Sequence, residues 1–244
     1  MAEDDKDPNA DRAGRQPNDT VAGRRGMSFR EQLRAADSYG ILLAAIGVVA
    51  ISAGLIGSVA PGLVTTVALL GVTMLFAFRT SRVSLRAQRV ALVIVVIAIV
   101  AIAIAAALGS DRFAEVVAGA VDAALAFAAL VAILRRLVRH HVVVTAMTVA
   151  GAACAYLLIG LFFASVYTFL AGVSTDPFFV QTPADRLIDQ LYFSFVTLTT
   201  VGYGDLTAAN DLGRMLAVGE ALTGQLFLVT VVAVVVGNIG RARR

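Results

Sequence analysis

One cysteine, two histidines and one lysine stand among 244 residues. A lone Cys154 forms no intrachain disulfide, and its place within an apolar run suits a small packing residue. No nucleophile–base pair, metal-ligand cluster or cofactor loop can be assembled from what is there, so enzymatic activity is not expected. Charge is also scarce, at 15% of residues, with a net value of +3. The basic residues fall between apolar runs, which points to anionic lipid and not to nucleic acid as their partner. Residues 1–38 contain no apolar run. They read as a disordered cytoplasmic tail, and the first apolar run that follows is too long for a cleaved signal peptide.

What the chain has in abundance is apolar length. Hydrophobic residues make up 59% of the sequence, far above a soluble domain. Six runs approach the ~20 residues that cross a ~30 Å hydrocarbon core: Ile41–Ala60, Gly62–Phe78, Val90–Leu108, Phe113–Leu134, Val142–Ala171 and Leu212–Ile239. Pro61 and Gly62 are expected to form a tight turn between the first two, because Ile41–Phe78 as one helix would measure about 57 Å. Arginine placement orients the runs. Arg24, Arg25, Arg30 and Arg34 precede the first. Arg79, Arg82, Arg86 and Arg89 join the second to the third. Arg135, Arg136 and Arg139 follow the fourth, and Arg241, Arg243 and Arg244 end the chain. If six helices alternate, all of these lie on one side, leaving Arg112, Arg186 and Arg214 on the other. Both termini are therefore expected in the cytoplasm. Nineteen of the twenty basic residues are arginine, a bias that hints at a bacterial source and hence at the inner membrane.

Between the last two runs lies Thr200-Val201-Gly202-Tyr203-Gly204, followed by Asp205. A dehydrated cation needs replacement oxygens. The carbonyls of Thr200, Val201, Gly202 and Tyr203, with the Thr200 hydroxyl, can supply them along a narrow path. Gly202 and Gly204 permit the positive φ angles that would turn successive carbonyls to one side. Val201 and Tyr203 would then brace the path from behind. No strand pattern precedes the motif, which sets it apart from a phosphate-binding Gly-x-Gly. The segment before it begins with helix-start chemistry: Thr182 as cap, Pro183 in the first turn and Asp185 closing a Thr-x-x-Asp box. A helix from Pro183 to Leu198 would run roughly 24 Å, too short to cross the bilayer. Its C-terminal carbonyls would favour a cation beyond its end.

From Leu187 to Leu212 the order LIDQLYFSFVTLTTVGYGDLTAANDL resembles the re-entrant pore of the tetrameric potassium channel superfamily, whose filter is this five-residue string. The resemblance covers Val142–Arg244. Together with the six apolar runs it implies an all-α membrane protein of six transmembrane helices, with a pore helix and filter loop between the fifth and sixth. It implies K+ at Thr200, Val201, Gly202 and Tyr203, a homotetramer around one axis, and no cofactor beyond the permeant ion. It places Tyr192 and Phe193 in an aromatic cuff, with Thr199 and Asp205 as further filter support. The chain has no tryptophan, so such a cuff is built from lighter rings. Some family members carry a carboxylate on the pore helix four residues before the filter threonine. Here that position is Val196, so no carboxylate clamp on Asp205 is expected. Gly224 falls at the family's inner-helix hinge, where close packing is the competing reading. Leu228, Val232 and Val236 follow as candidates for a gate that closes by dewetting.

Glu220 lies inside the last apolar run and is a functional candidate on that ground. It either supports the filter from behind or is a neutral carboxyl packed against Thr197 or Tyr192. A voltage sensor needs arginines at every third position within the membrane. Phe113–Leu134 carries Glu115 and Asp122 instead, so residues 39–141 are expected to be a four-helix domain without that role. Asp122 has no intramembrane base to pair with. It is expected to bond Thr65, Thr66 or Thr73, or to report pH. His140 and His141 suit interfacial anchoring, with a pH role open. Residues 142–244 would form the pore, with no cytoplasmic ligand-binding domain following and any gating partner supplied separately. The expected function is passive, K+-selective conduction. A non-selective cation channel and a non-conducting scaffold or regulatory subunit are the alternatives, and one pore loop per chain argues against a coupled transporter.

Overall fold

The computed structural model describes residues 40–49, 51, 60–80, 84–139, 146–181 and 187–242. These residues are overwhelmingly helical. Helix α1 covers Gly40–Val49. It is followed by α2 (Ala60–Thr80), α3 (Leu85–Ala107), α4 (Asp111–Arg139), α5 (Ala146–Val173), α6 (Leu187–Leu198) and α7 (Asp211–Ala242). Four stretches are long and apolar enough to cross a bilayer: Leu85–Ala107, Asp111–Arg135, Val149–Val173 and Asp211–Val231. The tail over 1–38, the Thr182–Asp185 helix start and the His140–His141 pair lie outside the described residues.

Two boundaries differ from the sequence-based expectation. Helix α2 begins at Ala60 and runs through Pro61 and Gly62, so these residues do not form a turn of their own. Proline fits there because the first turn requires no donated N–H and its fixed φ is already helical. Helix α4 continues to Arg139, so Arg135, Arg136 and Arg139 belong to its last turns and do not follow its end. Nothing between Leu134 and Arg139 breaks a helix, and arginine favours one.

Helix α3 shows how an apolar sequence partitions here. Its buried residues, Ala91, Val95, Ala98, Ile102 and Ala105, form one stripe with steps of three and four. Val93, Ile94, Val96, Ile97 and Val100 are apolar yet exposed. A helix apolar all round with only one face packed is suited to lipid. Ser84 caps its start, its side chain accepting from the Ala87 N–H at 3.4 Å. Gly109, at φ +68°, reverses the chain after its end.

Among the described helices α4 and α5 pack most extensively, and glycine permits their close approach. A Cβ on Gly119 would sit 2.5 Å from the Phe169 backbone nitrogen, and one on Gly172 would sit 2.9 Å from that of Val116. Small residues let membrane helices approach to backbone contact. Short helix α6 packs between α5 and α7, with the Phe195 ring over Gly160.

Candidate functional site

The Thr200–Gly204 segment leaves the C-terminus of α6 by folding its N–H groups back onto the helix. Thr200 N–H donates to Thr197 O at 2.9 Å, Val201 N–H to Val196 O at 3.0 Å and Gly202 N–H to the same oxygen at 3.4 Å. The φ angle is positive at every second residue: +58° at Thr200, +56° at Gly202 and +80° at Gly204. Thr200 is the one non-glycine residue in that region among the described residues, a conformation uncommon for a side chain branched at Cβ. Alternating the hand of the backbone reverses the usual alternation of carbonyls, so that neighbours tend to one side. Among the described residues no backbone N–H donates to a carbonyl of Thr200–Gly204. Val201 and Tyr203 are 50% and 71% exposed in the single chain.

Side chains tether this segment from three directions. Thr199 Oγ1 donates to Phe195 O at 2.6 Å. Gln225 of α7 donates through Nε2 to Thr200 Oγ1 at 3.2 Å. Tyr156 of α5 donates to Leu198 O at 3.2 Å. Beyond the segment, Tyr192 donates to Asp205 Oδ2 at 2.8 Å. Tyr192 and Asp205 are thus brought together. Phe193 faces elsewhere. Its ring lies 5.2 Å from that of Tyr167 and 5.3 Å from that of Phe179, within a buried aromatic cluster completed by Phe178. That cluster anchors the loop after α5 to the loop after the motif, where Val180 N–H donates to Thr207 O at 3.0 Å and Ala209 N–H to Phe178 O at 2.9 Å.

Glu220 is fully buried. Its partners are not the expected Thr197 or Tyr192. Tyr167 of α5 donates to Oε2 at 2.7 Å, and Ser194 of α6 bonds Oε1. Ser194 also reaches Gly160 O at 2.7 Å. A hydroxyl has one proton and a carbonyl has none. Both Ser194 contacts are therefore hydrogen bonds at once only if the Glu220 carboxyl is neutral and donates to Ser194. The cluster ties α7 to α5 and α6. Tyr167 and Ser194 carry no local sequence signal, since their relation to Glu220 spans 53 and 26 residues.

Gly224 sits where α7 presses on the end of α6. A Cβ there would lie 2.6 Å from Leu198 O, and α7 continues through the position without a break. The close-packing reading thus has a specific contact. Leu228 is exposed. Val232 and Val236 lie on α7, their side chains outside the described residues. Asp122 is not bonded to Thr66 or Thr73, whose hydroxyls donate to Gly62 O and Leu69 O of their own helix.

Residues 144–240 match the family described as Ion channel. "Two pore potassium channel a" of Oryza sativa subsp. japonica is 41% identical over 70 residues, 28% of this chain and 18% of that protein. "Potassium voltage-gated channel subfamily KQT member 4" of Homo sapiens is 42% identical over 67 residues, 28% of this chain and 9% of that one. "Protein LctB" of Bacillus caldotenax is 39% identical over 84 residues, 32% of this chain and 61% of it. The chain thus covers less than a fifth of the rice protein's length, and the likeness concerns a shared segment.

Proposed function

We propose that the protein conducts K+ passively through a filter at Thr200–Gly204, a reading supported by the match of residues 144–240 to the family described as Ion channel and by the likeness to potassium channels. The observation that carries this reading is the positive φ at every second residue from Thr200 to Gly204, with the N–H groups of Thr200, Val201 and Gly202 bonded back to α6. Such a backbone offers carbonyl oxygens as a substitute for the ion's water, and potassium selectivity arises from carbonyl rings of this kind. Thr200, Val201, Gly202 and Tyr203 are the K+ ligands in this proposal. Asp205, Tyr192, Thr199 and Glu220 are their support.

One chain offers one quarter of such a ring, so the reading includes a homotetramer. Helix α7 favours it. Only 11% of its apolar window is buried in the single chain, against 56% for α5. Leu212, Met215, Val218, Leu222, Leu226 and Val229 are all exposed there, an apolar surface fit for neighbouring copies and a central cavity. Six spans, cytoplasmic termini and a bacterial inner membrane complete the proposal, supported by the arginine distribution.

Purified protein in liposomes tests it. K+ flux is expected well above Na+ flux, and Gly202→Ala is expected to abolish it while leaving assembly intact, because alanine cannot adopt φ +56° without strain. Equal K+ and Na+ fluxes, or full conduction by Gly202→Ala, would overturn the filter assignment.

A further inference from the structure

We propose that the cavity between α2, α4 and α5 is a binding site for a single sodium ion, with Asp122 as its anionic ligand. Asp122 is 5% exposed, and its Oδ1 has no hydrogen-bond partner. It lines a cavity of about 30 Å³ together with Thr66, Ser165 and Thr168. That is room for a water-sized species or two, since one water needs roughly 10–15 Å³ on this measure.

The protons of the lining decide what belongs inside. Each hydroxyl donates to the carbonyl four residues earlier in its own helix: Thr66 to Gly62 at 2.8 Å, Ser165 to Leu161 at 2.8 Å and Thr168 to Ala164 at 3.1 Å. A hydroxyl has one proton to give. With their protons so used, all three have only lone pairs left to offer an occupant of the cavity. Asp122 adds a carboxylate oxygen, and the remaining lining, from Val49 of α1 to Leu187 and Leu191 of α6, contributes no basic side chain. A buried acceptor with no donor is costly, and more so for a carboxylate inside a membrane. A shell made only of acceptors becomes favourable around a cation.

Charge and size narrow the occupant. One carboxylate balances one positive charge, and the described residues hold no group of three His, Cys, Asp or Glu able to take a metal of higher charge. Hard oxygen ligands suit an alkali ion and not a soft metal. Four side-chain oxygens around space for a water-sized species or two give a compact site, which favours sodium over the larger potassium. The site would join α2 and α4 to α5, with α6 in its wall, so occupancy would tie the N-terminal helices to the pore helix. The binding site itself does not depend on the channel proposal.

The test is thermal unfolding of the full-length protein in detergent, titrating NaCl against choline chloride at constant ionic strength with KCl held fixed. Wild type is expected to show a saturable rise in Tm with sodium that Asp122→Asn loses. Ser165→Ala and Thr168→Val are expected to raise the sodium concentration at half effect. They also serve as probes should Asp122→Asn fail to fold. Gly202→Ala should keep the sodium response, which separates this site from the proposed filter. No sodium-dependent shift in wild type, or an undiminished one in Asp122→Asn, overturns the site. A shift that follows pH and not sodium, lost in Asp122→Asn, overturns it in favour of a protonated carboxyl with water. A saturable shift of the same size and half-effect concentration when potassium replaces sodium overturns the choice of ion.

Discussion

Glu220 has both oxygens engaged, one by Tyr167 and one by Ser194, in a place where water cannot replace either partner. A neutral carboxyl accepting from one hydroxyl and donating to the other is closely imitated by a carboxamide. Glu220→Gln is therefore expected to retain assembly and flux close to wild type. Glu220→Ala strands the buried Tyr167 hydroxyl, at about 1–3 kcal/mol, while Ser194 keeps Gly160 O, and is expected to lower the thermal midpoint clearly. Unfolding curves of the three proteins check this. A glutamine variant as unstable as the alanine one would mean that charge, not hydrogen bonding, holds the cluster. An acid within the last apolar run was visible in the sequence. Its partners were not, because they lie on other helices and hydroxyl side chains are common in such segments.

At the scale of helices, glycines set how closely elements meet, and two of them separate packing from filter position. Gly172 brings α5 against the α4 backbone at Val116, and Gly224 brings α7 against Leu198 O at the end of α6. Adding a methyl group to a tight contact costs about 1–3 kcal/mol. Gly172→Ala is expected to reduce stability while leaving K+ flux per folded tetramer unchanged. Gly224→Ala should displace the turn of α6 from which Thr200–Gly204 departs, and so reduce flux and K+ over Na+ preference together. Flux and Tm measured on the same preparations distinguish the two. Unaltered selectivity with altered opening in Gly224→Ala would favour the hinge reading. The other element-level lesson is Pro61, which lies in the first turn of α2 instead of forming a turn of its own. Proline marks turns and helix starts alike, and spacing alone does not choose between them.

For the whole molecule, the decisive quantity is the apolar surface that a single chain leaves open. The most apolar stretch of helix α7 is only 11% buried while that of α5 is 56% buried, and the Thr200–Gly204 segment is exposed along with α7. Four copies around one axis would cover both. Native mass measurement in mild detergent is expected to give a tetramer, with Leu222→Arg shifting it toward smaller species by placing charge on the apolar face. A stable monomer in detergent and bilayer alike would remove the shared-filter argument.

The sequence by itself determined the helical, membrane-suited character of the chain. It also determined the position of the Thr200–Gly204 motif and the lack of arginines within the fourth apolar run. These properties are local: run length, residue spacing and backbone permissiveness at glycine are readable one segment at a time. Only the tertiary structure decided that Glu220 meets Tyr167 and Ser194, that Phe193 belongs to a cluster with Tyr167 and Phe178 while Tyr192 reaches Asp205, and that Asp122 lines a cavity with Thr66, Ser165 and Thr168. Those facts depend on which helix faces meet and at what distance. In apolar segments almost every face is hydrophobic, so the sequence alone leaves the choice among them open.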